Sequence, residues 1–461
     1  MNGEQRQPAN QWKRRDRLTY GILFILSVII AAATALLPPM TGYILPILGV
    51  PSDDWIALIV TVFLLISGLT AIPWAYLADR TTRRTLLIIS TFFWTFWFIP
   101  ILLPTIEYWT LFLFYCLAAV GIGATSPLAL SMTIDCVPSS FRSTTFGLLS
   151  TAAGAGYGFG VILSGLLVVP FGWQMPFLII LIFGIASGLL LFLTREPPRG
   201  QNDECLQDLQ AAGHVYTYKI SMKDLHQMWR KRSNIWLIVV GIIAIIPTAA
   251  FGTWGVRWLT VDHGFDQSVA TIFIAVALLS QIAGTIIFGG WGDRLFRKNK
   301  RGRIDLILLC CLAAGPILII GCLYTFWAAG LTIIGAFLNP ITLMFFILIF
   351  TGTLFDAGIS PLIYVSAGDI NSPGIRSTAL SLHLLAHVVG VALGTQLPAS
   401  IAAMFFGGLY SPSLAIICLF FFIAALSTIP ILRNIRKDIE TTDNETRVQI
   451  QNALAQNGPE S

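Results

Sequence analysis

Long, uninterrupted apolar runs constrain this chain more strongly than any other feature of its sequence. There are twelve such runs, long enough to cross the hydrocarbon core of a bilayer, which takes roughly 20 residues as a helix. Inside the hydrocarbon, every backbone N–H and C=O group must be paired within the protein, so each run has to be helical. Only 11% of the residues are charged, against about 25% in soluble proteins. The predicted fold class is therefore an all-α polytopic membrane protein with twelve transmembrane helices.

The order of the runs predicts the organisation of the chain. Spans are expected near 18–37, 55–78, 85–103, 108–132, 144–168, 174–194, 234–256, 268–291, 304–327, 339–366, 377–405 and 411–432. They define an N-terminal tail (1–17), a six-helix bundle (18–194), a central loop (195–233), a second six-helix bundle (234–433) and a C-terminal tail (434–461). The central loop is too long for a tight hairpin, and a surface helix is expected near 221–232.

The positions of the basic residues predict the orientation in the membrane. If the N-terminus is cytosolic, all but one of the 28 Lys and Arg residues fall in segments that face the cytosol, and the exception is Arg257. Such a one-sided distribution follows the positive-inside rule. We therefore predict an integral protein of the plasma membrane with both termini in the cytoplasm. The net charge of +5 follows this topology and does not indicate nucleic-acid binding.

The sequence predicts neither a cofactor nor a metal site. The seven cysteines are scattered in or beside apolar runs or in loops expected to face the cytosol, which is typical of neither a disulfide framework nor a metal site. His214 and His226 in the central loop have no Cys or acidic partner at ligand spacing. The His383-x-x-x-His387 pattern lacks the adjacent Glu of a zinc protease helix, and no Gly-rich phosphate loop is present. An enzyme needs such clusters, so the chain is predicted not to be one.

One part of the sequence is repeated. Ser126-Pro127-Leu128, Asp135 and Arg142-Ser143-Thr144 return 234 positions later, without a gap, as Ser360-Pro361-Leu362, Asp369 and Arg376-Ser377-Thr378. The register continues into the following run, where Gly156 and Gly160 match Gly390 and Gly394. Repetition in the same direction predicts two equivalent halves. The two six-helix bundles are therefore expected to be pseudo-symmetric.

Charged turns follow spans two and eight. In each turn a carboxylate precedes clustered arginines. The carboxylate can interact with the positive N-terminus of a neighbouring helix, and the guanidinium groups can bind nearby acids. Such contacts would hold helix ends together. Topogenic charge alone is the alternative interpretation. We interpret the turns and the repeated acid–arginine pairs as cytosolic gate motifs, consisting of Asp79, Arg80, Arg83, Arg84, Asp135, Arg142, Gly289, Asp293, Arg294, Asp369 and Arg376.

Together these features resemble the major facilitator superfamily. The resemblance rests on the Gly-x-x-x-Asp-Arg-x-x-Arg-Arg pattern of the turns, the twelve spans, the repeated Asp-x6-Arg turn and the central loop, and it covers roughly 18–433. It implies the major facilitator fold and alternating access, in which two bundles rock around a central site. It also implies that Asp79 lies against the start of span eleven and Asp293 against the start of span five. Ala75 and Thr82 replace glycines of the family pattern, which implies a looser first latch.

A narrower resemblance is to the Spinster-type branch, whose known members include exporters of lysophospholipids and sphingolipid-like molecules. It rests on the segments 172–174 (Gly-Trp-Gln) and 195–200 (Arg-Glu-Pro-Pro-Arg-Gly). Members of that branch usually carry an acidic residue in span one and an Arg and a Glu in span four. Here span one has no charge, and Leu117 and Ala124 stand where the Arg and the Glu are expected. Proton coupling through the N-terminal half is therefore not implied.

The ionisable residues deep inside the predicted spans lie in the C-terminal half. They are Asp356 in span ten and His383 and His387 in span eleven. At a rise of 1.5 Å per residue, Asp356 and His387 lie at comparable depth near the middle of the membrane. Burial of a charge there costs at least ~2.5 kcal/mol, so such a group usually faces a cavity or a partner. We hypothesise that Asp356 and His387 form a proton-titratable pair, with His383 nearer the cytosolic exit; a neutral hydrogen-bonded clasp between the two spans is the alternative.

Other polar and aromatic residues are candidates for the lining of a substrate cavity. Thr353, Ser360 and Tyr364 share one helical face with Asp356, and the remaining candidates are Gln281, Arg257, Trp254 and Tyr157. Arg257 either attracts an anionic group or serves as an interfacial anchor. The glycines at 156, 160, 390 and 394 are interpreted as helix-packing residues, since small residues four apart let helices approach closely. In span five their spacing is also similar to the antiporter motif of drug-exporting family members.

The predicted function is secondary transport of a small organic, amphipathic or lipid-like solute by alternating access. Charged groups for a strongly charged substrate are few within the spans, and the dense amide lining typical of sugar sites is missing. An uncoupled facilitator or drug-type exporter is the alternative, and a non-transporting sensor or a membrane-embedded enzyme represents another class. The expected partners are the substrate, the lipid bilayer and, under the coupling hypothesis, protons. The chain is expected to be a monomer.

Overall fold

The computed structural model describes residues 14–137, 142–197, 230–371 and 376–456, and the side chains of Asp79, Asp135, Arg142 and Arg376 lie outside the described atoms. All regular structure in these ranges is helical. Twelve helical segments are long and apolar enough to cross a membrane, which confirms the predicted number. The chain divides into two compact units, Met1–Thr217 and Tyr218–Ser461. Most of the surface helix expected near 221–232 falls outside the described residues.

The first unit holds six of the spans. Pro38 and Pro39 interrupt the first span because proline lacks the backbone N–H that continues a helix, and a short 3-10 turn, Pro38–Met40, separates its two helices. The described helices are α1 (Arg14–Thr34), α2 (Thr41–Leu48), α3 (Asp53–Arg80), α4 (Arg83–Phe98), α5 (Tyr108–Ile122), α6 (Thr125–Cys136), α7 (Arg142–Phe171) and α8 (Gln174–Leu191). A continuous apolar and aromatic core connects them.

The second unit holds the other six spans. Its described helices are α9 (Arg232–Asp262), α10 (Gln267–Lys298), α11 (Gly302–Leu323), α12 (Ile333–Leu338), α13 (Pro340–Asp356), α14 (Ile359–Asp369), α15 (Arg376–Phe405), α16 (Tyr410–Cys418) and α17 (Phe420–Gln456). Helix α17 continues well past residue 433, where the sequence predicts a tail. The reason is that no Gly or Pro occurs between Pro430 and Gly458, so good helix formers continue the helix into the polar segment.

Spans four and ten are interrupted at equivalent positions of the repeat. Helix α5 ends at Ile122, and α13 ends at the equivalent Asp356. At each break a neighbouring helix crosses closely: a Cβ atom on Gly123 would lie 2.3 Å from the carbonyl oxygen of Ser67, and one on Gly284 would lie 2.3 Å from that of Leu354. The sequence predicts both spans as continuous, so these breaks are a finding of the tertiary structure.

The repeated glycines lie at equivalent helix interfaces in the two units. In the first unit α7 packs on α1, and Cβ atoms on Gly156 and Gly160 would lie 2.3 and 2.4 Å from the carbonyl oxygens of Val28 and Ala32. In the second unit α15 packs on α9. There Cβ atoms on Gly390 and Gly394 would lie 2.5 and 2.3 Å from the carbonyl oxygens of Ile242 and Ile246. We refer to these four residues as the interface glycines; no larger residue fits at these backbone-to-backbone contacts.

Candidate functional site

A buried carboxylate at the break in span ten is the centre of the candidate site. Asp356 is only 4% exposed. The hydroxyl group of Thr248 in α9 donates to its Oδ1 atom at 2.7 Å, and the side-chain amide of Gln281 in α10 donates to its Oδ2 atom at 3.2 Å. Both donors are neutral, and no Lys, Arg or His of the described residues forms an ion pair with Asp356. A buried carboxylate in such a setting must either carry a proton or hold a cation, because an uncompensated buried charge is very costly.

Two further hydroxyl groups extend this network within the second unit. The Thr353 and Ser280 hydroxyl oxygens are 2.7 Å apart, and Thr353 also donates to the carbonyl oxygen of Ile349 at 2.7 Å. The Gln281 amide, besides bonding to Asp356, lies 3.4 Å from the Thr353 carbonyl oxygen. The structure thus brings three predicted residues, Thr353, Asp356 and Gln281, into one polar cluster. We call the set Thr248, Ser280, Gln281, Thr353 and Asp356 the carboxylate cluster.

The two histidines of span eleven do not bind Asp356 directly. Among the described atoms no hydrogen bond or ion pair joins Asp356 to His387, because the carboxylate is directed toward α9 and α10. The proposal that Asp356 and His387 titrate as a pair therefore stays a prediction, without a direct bond between them among the described atoms. His387 instead faces Tyr364, with ring centroids 6.2 Å apart. His383 is buried, and its Nε2 atom has no hydrogen-bond partner among the described residues.

The equivalent break in the first unit has no ionisable group. Ile122 occupies the position of Asp356 and is buried. The carbonyl oxygen of Val120, which the break leaves without a helical donor, accepts from the indole N–H of Trp74 at 2.8 Å. Tyr115, also in span four, donates to the carbonyl oxygen of Ala33 at 3.2 Å. The two units therefore share a backbone geometry but differ in chemistry, since only the second places a carboxylate at the break.

The charged turn of the second unit is organised by Arg303, at the start of α11. Its guanidinium group donates to Asp293 at 2.7 Å and to Asp369, and it lies 3.9 Å above the ring of Phe296. Both acids belong to the predicted gate motifs, and the base that bridges them is Arg303. Arg294, another predicted gate residue, is exposed. One buried cation thereby ties the ends of spans eight and ten to the start of span nine.

The charged turn of the first unit is organised by Arg83, at the start of α4. Its Nε atom donates to Glu196 at 2.9 Å, and its Nη atoms donate to the carbonyl oxygens of Ser131 and Pro197 at 3.1 and 2.9 Å. Glu196 also accepts from the backbone N–H of Arg84 at 2.7 Å. The first residues of the predicted central loop are thus bound to the start of span three.

We expect replacement of Arg303 to destabilise the second unit more than replacement of its neighbour Arg301. Arg303→Gln removes the one base between two carboxylates, and we expect a loss of about 1–3 kcal/mol because charge-assisted bonds are lost and a partly buried acid is left unpaired. Arg301→Gln removes only an exposed pair with Asp305, worth less than about 1 kcal/mol. Thermal unfolding of both purified variants measures the difference. Equal losses would show that Arg303 holds nothing beyond a surface charge pair.

Several predicted residues lie away from the carboxylate cluster. Trp254 is fully buried and donates to the carbonyl oxygen of Thr395 at 2.7 Å, which is a packing position rather than the expected cavity wall. Arg257, Tyr157 and Ser360 are half-buried. Arg80 is exposed and lies 4.4 Å over the Tyr76 ring, and a Cβ atom on Gly289 would contact nothing within 4 Å. The latch expected of Asp79 rests on a side chain outside the described atoms, and Asp293 has Arg303 as its partner.

The structure also adds candidate residues that the sequence did not indicate. Thr248 and Ser280 belong to the carboxylate cluster, but a single hydroxyl residue in an apolar span is no signal by itself, since it commonly bonds to its own helix. Arg303 is one of several basic residues in the turn between spans eight and nine, so the sequence did not single it out. In the described ranges, no group of three or more His, Cys, Asp or Glu residues is placed to hold a metal ion.

Comparison with known proteins agrees with this architecture. The chain is 28% identical over 303 residues to the sphingosine-1-phosphate transporter SPNS2 of Danio rerio, an alignment that covers 62% of this chain and 58% of the relative. It is 25% identical over 189 residues to the cis,cis-muconate transport protein of Acinetobacter baylyi, covering 39% and 43%. The alignments thus span only about half the length of these relatives.

The fold is similar to that of a solved bacterial homologue of the human lysosomal transporter Spinster, in an inward-facing, unoccupied conformation. The TM-score is 0.74 at 19% identity, and the match covers 92% of this chain and 98% of that structure. The sequence profile of the Major Facilitator Superfamily matches residues 23–322, which is more than half of the chain. Because this profile covers more than half of the chain, the chain belongs to the major facilitator superfamily.

Proposed function

We propose that the protein transports a small amphipathic or lipid-like organic solute and couples its movement to protons at Asp356. The single observation that carries the coupling is a buried carboxylate whose bonding partners are neutral donors. Binding and release of a proton changes the charge of such a group without breaking an ion pair. Because the group lies at a helix break, a change in its charge acts directly on the contacts between spans seven, eight and ten.

The substrate class follows from what the spans offer for binding. Buried ionisable side chains are few in the second unit's spans, whereas aromatic and aliphatic side chains are abundant. A hexose needs many hydrogen-bonding partners, and a multiply charged anion needs several buried cations, because buried polar groups must be paired. An amphipathic molecule needs only a few polar contacts beside an apolar wall. Of the two relatives described above, one is named a transporter of sphingosine-1-phosphate and the other of cis,cis-muconate. Both names support an organic substrate.

The orientation and cellular location proposed from the sequence complete this picture. The distribution of basic residues at the helix ends supports, by the positive-inside rule, a topology with both termini in the cytoplasm. We propose a plasma-membrane protein that functions as a monomer. Under this topology the Arg303 and Arg83 turns lie on the cytosolic side. The ion pairs and hydrogen bonds of these turns break and form again as each bundle rocks.

Reconstitution tests the proposed function directly. The purified protein in liposomes is expected to move a lysophospholipid or sphingosine-1-phosphate saturably, to move cis,cis-muconate weakly, and to leave a hexose outside. Each candidate is first ranked by its thermal stabilisation of the protein, which reaches about 2.7 kcal/mol at 100 times Kd. Selective transport of the hexose would contradict the amphipathic class. Empty liposomes and liposomes with heat-denatured protein serve as controls.

An uncoupled facilitator is the second candidate, and one observation favours it. Each oxygen of Asp356 already accepts a hydrogen bond, so a permanently protonated Asp356 can serve as a structural clasp of spans seven, eight and ten. Under this alternative, a pH gradient drives no accumulation, although the substrate still equilibrates across the membrane. A sodium gradient in place of the pH gradient distinguishes proton from cation coupling at the same carboxylate.

A further inference from the structure

A basic cavity lies at one end of the second unit, remote from the carboxylate cluster. It has a volume of about 410 Å³ and is lined by the turn after α10 and the extension of α17. The residues that line it are Lys298, Asn299, Lys300, Arg436, Ile439 and Glu440. Three of the six carry positive charge and one carries negative charge, so the cavity is a net cationic site.

The cations of this cavity are not neutralised by neighbouring acids. The acids of the adjacent turns already have partners, since Asp305 binds Arg301 and both Asp293 and Asp369 bind Arg303. Within the described residues, no carboxylate comes within 4.0 Å of the cationic nitrogens of Lys298, Lys300 or Arg436. These three side chains converge on one space and remain available to an anion.

Local contacts hold the walls of the cavity in place. The Asn299 side-chain oxygen accepts from the backbone N–H of Arg301 at 3.0 Å and from the Arg436 guanidinium at 3.0 Å. The Lys300 ammonium lies 4.7 Å above the ring of Phe296. The cavity therefore has oriented cations before any ligand arrives, which lowers the entropic cost of binding.

The α17 extension that forms the other wall is anchored as well. The buried Lys231 ammonium donates to the hydroxyl of Thr442 at 2.8 Å and to the carbonyl oxygen of Ile370 at 3.1 Å. The Asp438 carboxylate accepts from the backbone N–H of Ser233 at 3.1 Å. These bonds lie within six residues of Arg436, so the helix carries its side of the cavity as a fixed element.

We propose that this cavity binds the phosphate of an anionic phospholipid headgroup. Lys298 is the last residue of the candidate span Gln267–Lys298, so we expect the cavity to lie near the membrane surface, where headgroups are found. A phosphate diester presents one charge to the three cations, and Ile439 adds an apolar residue to the cavity lining. Under the proposed topology the site faces the leaflet that carries anionic lipids.

Lipid titration of the purified full-length protein tests this site. Short-chain phosphatidylglycerol is added to the protein in a zwitterionic detergent, and the midpoint temperature of unfolding of the protein is measured. Phosphatidylcholine, which has no net charge, is the comparison lipid. Glycerol 1-phosphate and inorganic phosphate are the soluble comparison ligands. Phosphatidylglycerol is expected to stabilise the protein more than phosphatidylcholine does. Neutralisation of Lys298, Lys300 or Arg436 to Gln should weaken its apparent affinity about fivefold each.

Two further variants make the test independent of folding defects. Lys437→Gln removes the same charge from an exposed position one residue beyond Arg436, outside the cavity lining, and should leave the affinity unchanged. Glu440→Gln removes the one anionic wall residue and should tighten binding, a gain that misfolding cannot produce. Equal affinities for the wild type, the triple Gln variant and Glu440→Gln would overturn the proposal. If the same substitutions weakened the binding of glycerol 1-phosphate to the same extent, the phosphate site would stand. Its ligand would then be a soluble phosphate ester and not a lipid.

Discussion

Replacement of Asp356 by asparagine is expected to abolish pH-driven accumulation of substrate while it leaves passive equilibration intact. A gradient of one pH unit supports up to about tenfold accumulation at one proton per substrate, since one unit corresponds to 1.36 kcal/mol. In Asp356→Asn this ratio should fall to about one, because the amide cannot exchange a proton in this range. The Asn side chain can still accept from Gln281 and donate to the Thr248 hydroxyl, so the local hydrogen bonds are conserved. Radiolabelled uptake into liposomes, with the gradient imposed in either direction, measures the ratio.

The control for this variant is a second Asp→Asn change in the same unit. Asp266 is exposed at the start of α10, outside the carboxylate cluster, and Asp266→Asn should retain full accumulation. An Asp356→Asn protein that still accumulates substrate would remove Asp356 from the coupling mechanism. A variant that folds normally but no longer equilibrates substrate would instead place Asp356 in substrate binding.

Alanine at the interface glycines is expected to destabilise the protein strongly. A methyl group at each position would lie about 2.3–2.5 Å from a backbone carbonyl oxygen of the facing helix, and no rotamer change can move a backbone atom. The helices must therefore separate, which costs about 1–3 kcal/mol at each site as overpacking. Gly156→Ala combined with Gly160→Ala should prevent recovery of monodisperse protein, as should the equivalent pair in α15. Thermal unfolding and size-exclusion chromatography in detergent measure both effects.

Two glycines on the same helix provide a control of opposite sign. Cβ atoms on Gly154 and Gly158 would meet nothing within 4 Å. Alanine at these positions should therefore be neutral or stabilise α7 by about 0.5–1 kcal/mol, because it restricts the unfolded chain and favours the helix. If alanine at all four positions of α7 lowered stability equally, the loss would reflect general helix flexibility and not the contact with α1.

Much of the architecture was predictable because membrane spanning leaves few alternatives. A run of about 20 apolar residues must be helical in hydrocarbon, and this requirement is local, so the twelve spans follow from the sequence. The repeat from Ser126 to Ser360 likewise predicts two equivalent halves. The depth of Asp356 near the middle of the membrane stays a prediction from the helical rise per residue. These inferences need only the distance along one helix.

The neighbours of Asp356 were decided by the tertiary structure, because position along a helix says nothing about which facing helix a side chain meets. The choice of Thr248 and Gln281 rather than His387 depends on the rotation and crossing of α9, α10 and α13, which the packing of many side chains determines together. The same reason explains why Arg303, and not another base of the same turn, bridges two acids. A sequence of this kind dictates how many helices cross the membrane and how deep each ionisable group lies; only side-chain packing between the helices decides which groups bind one another.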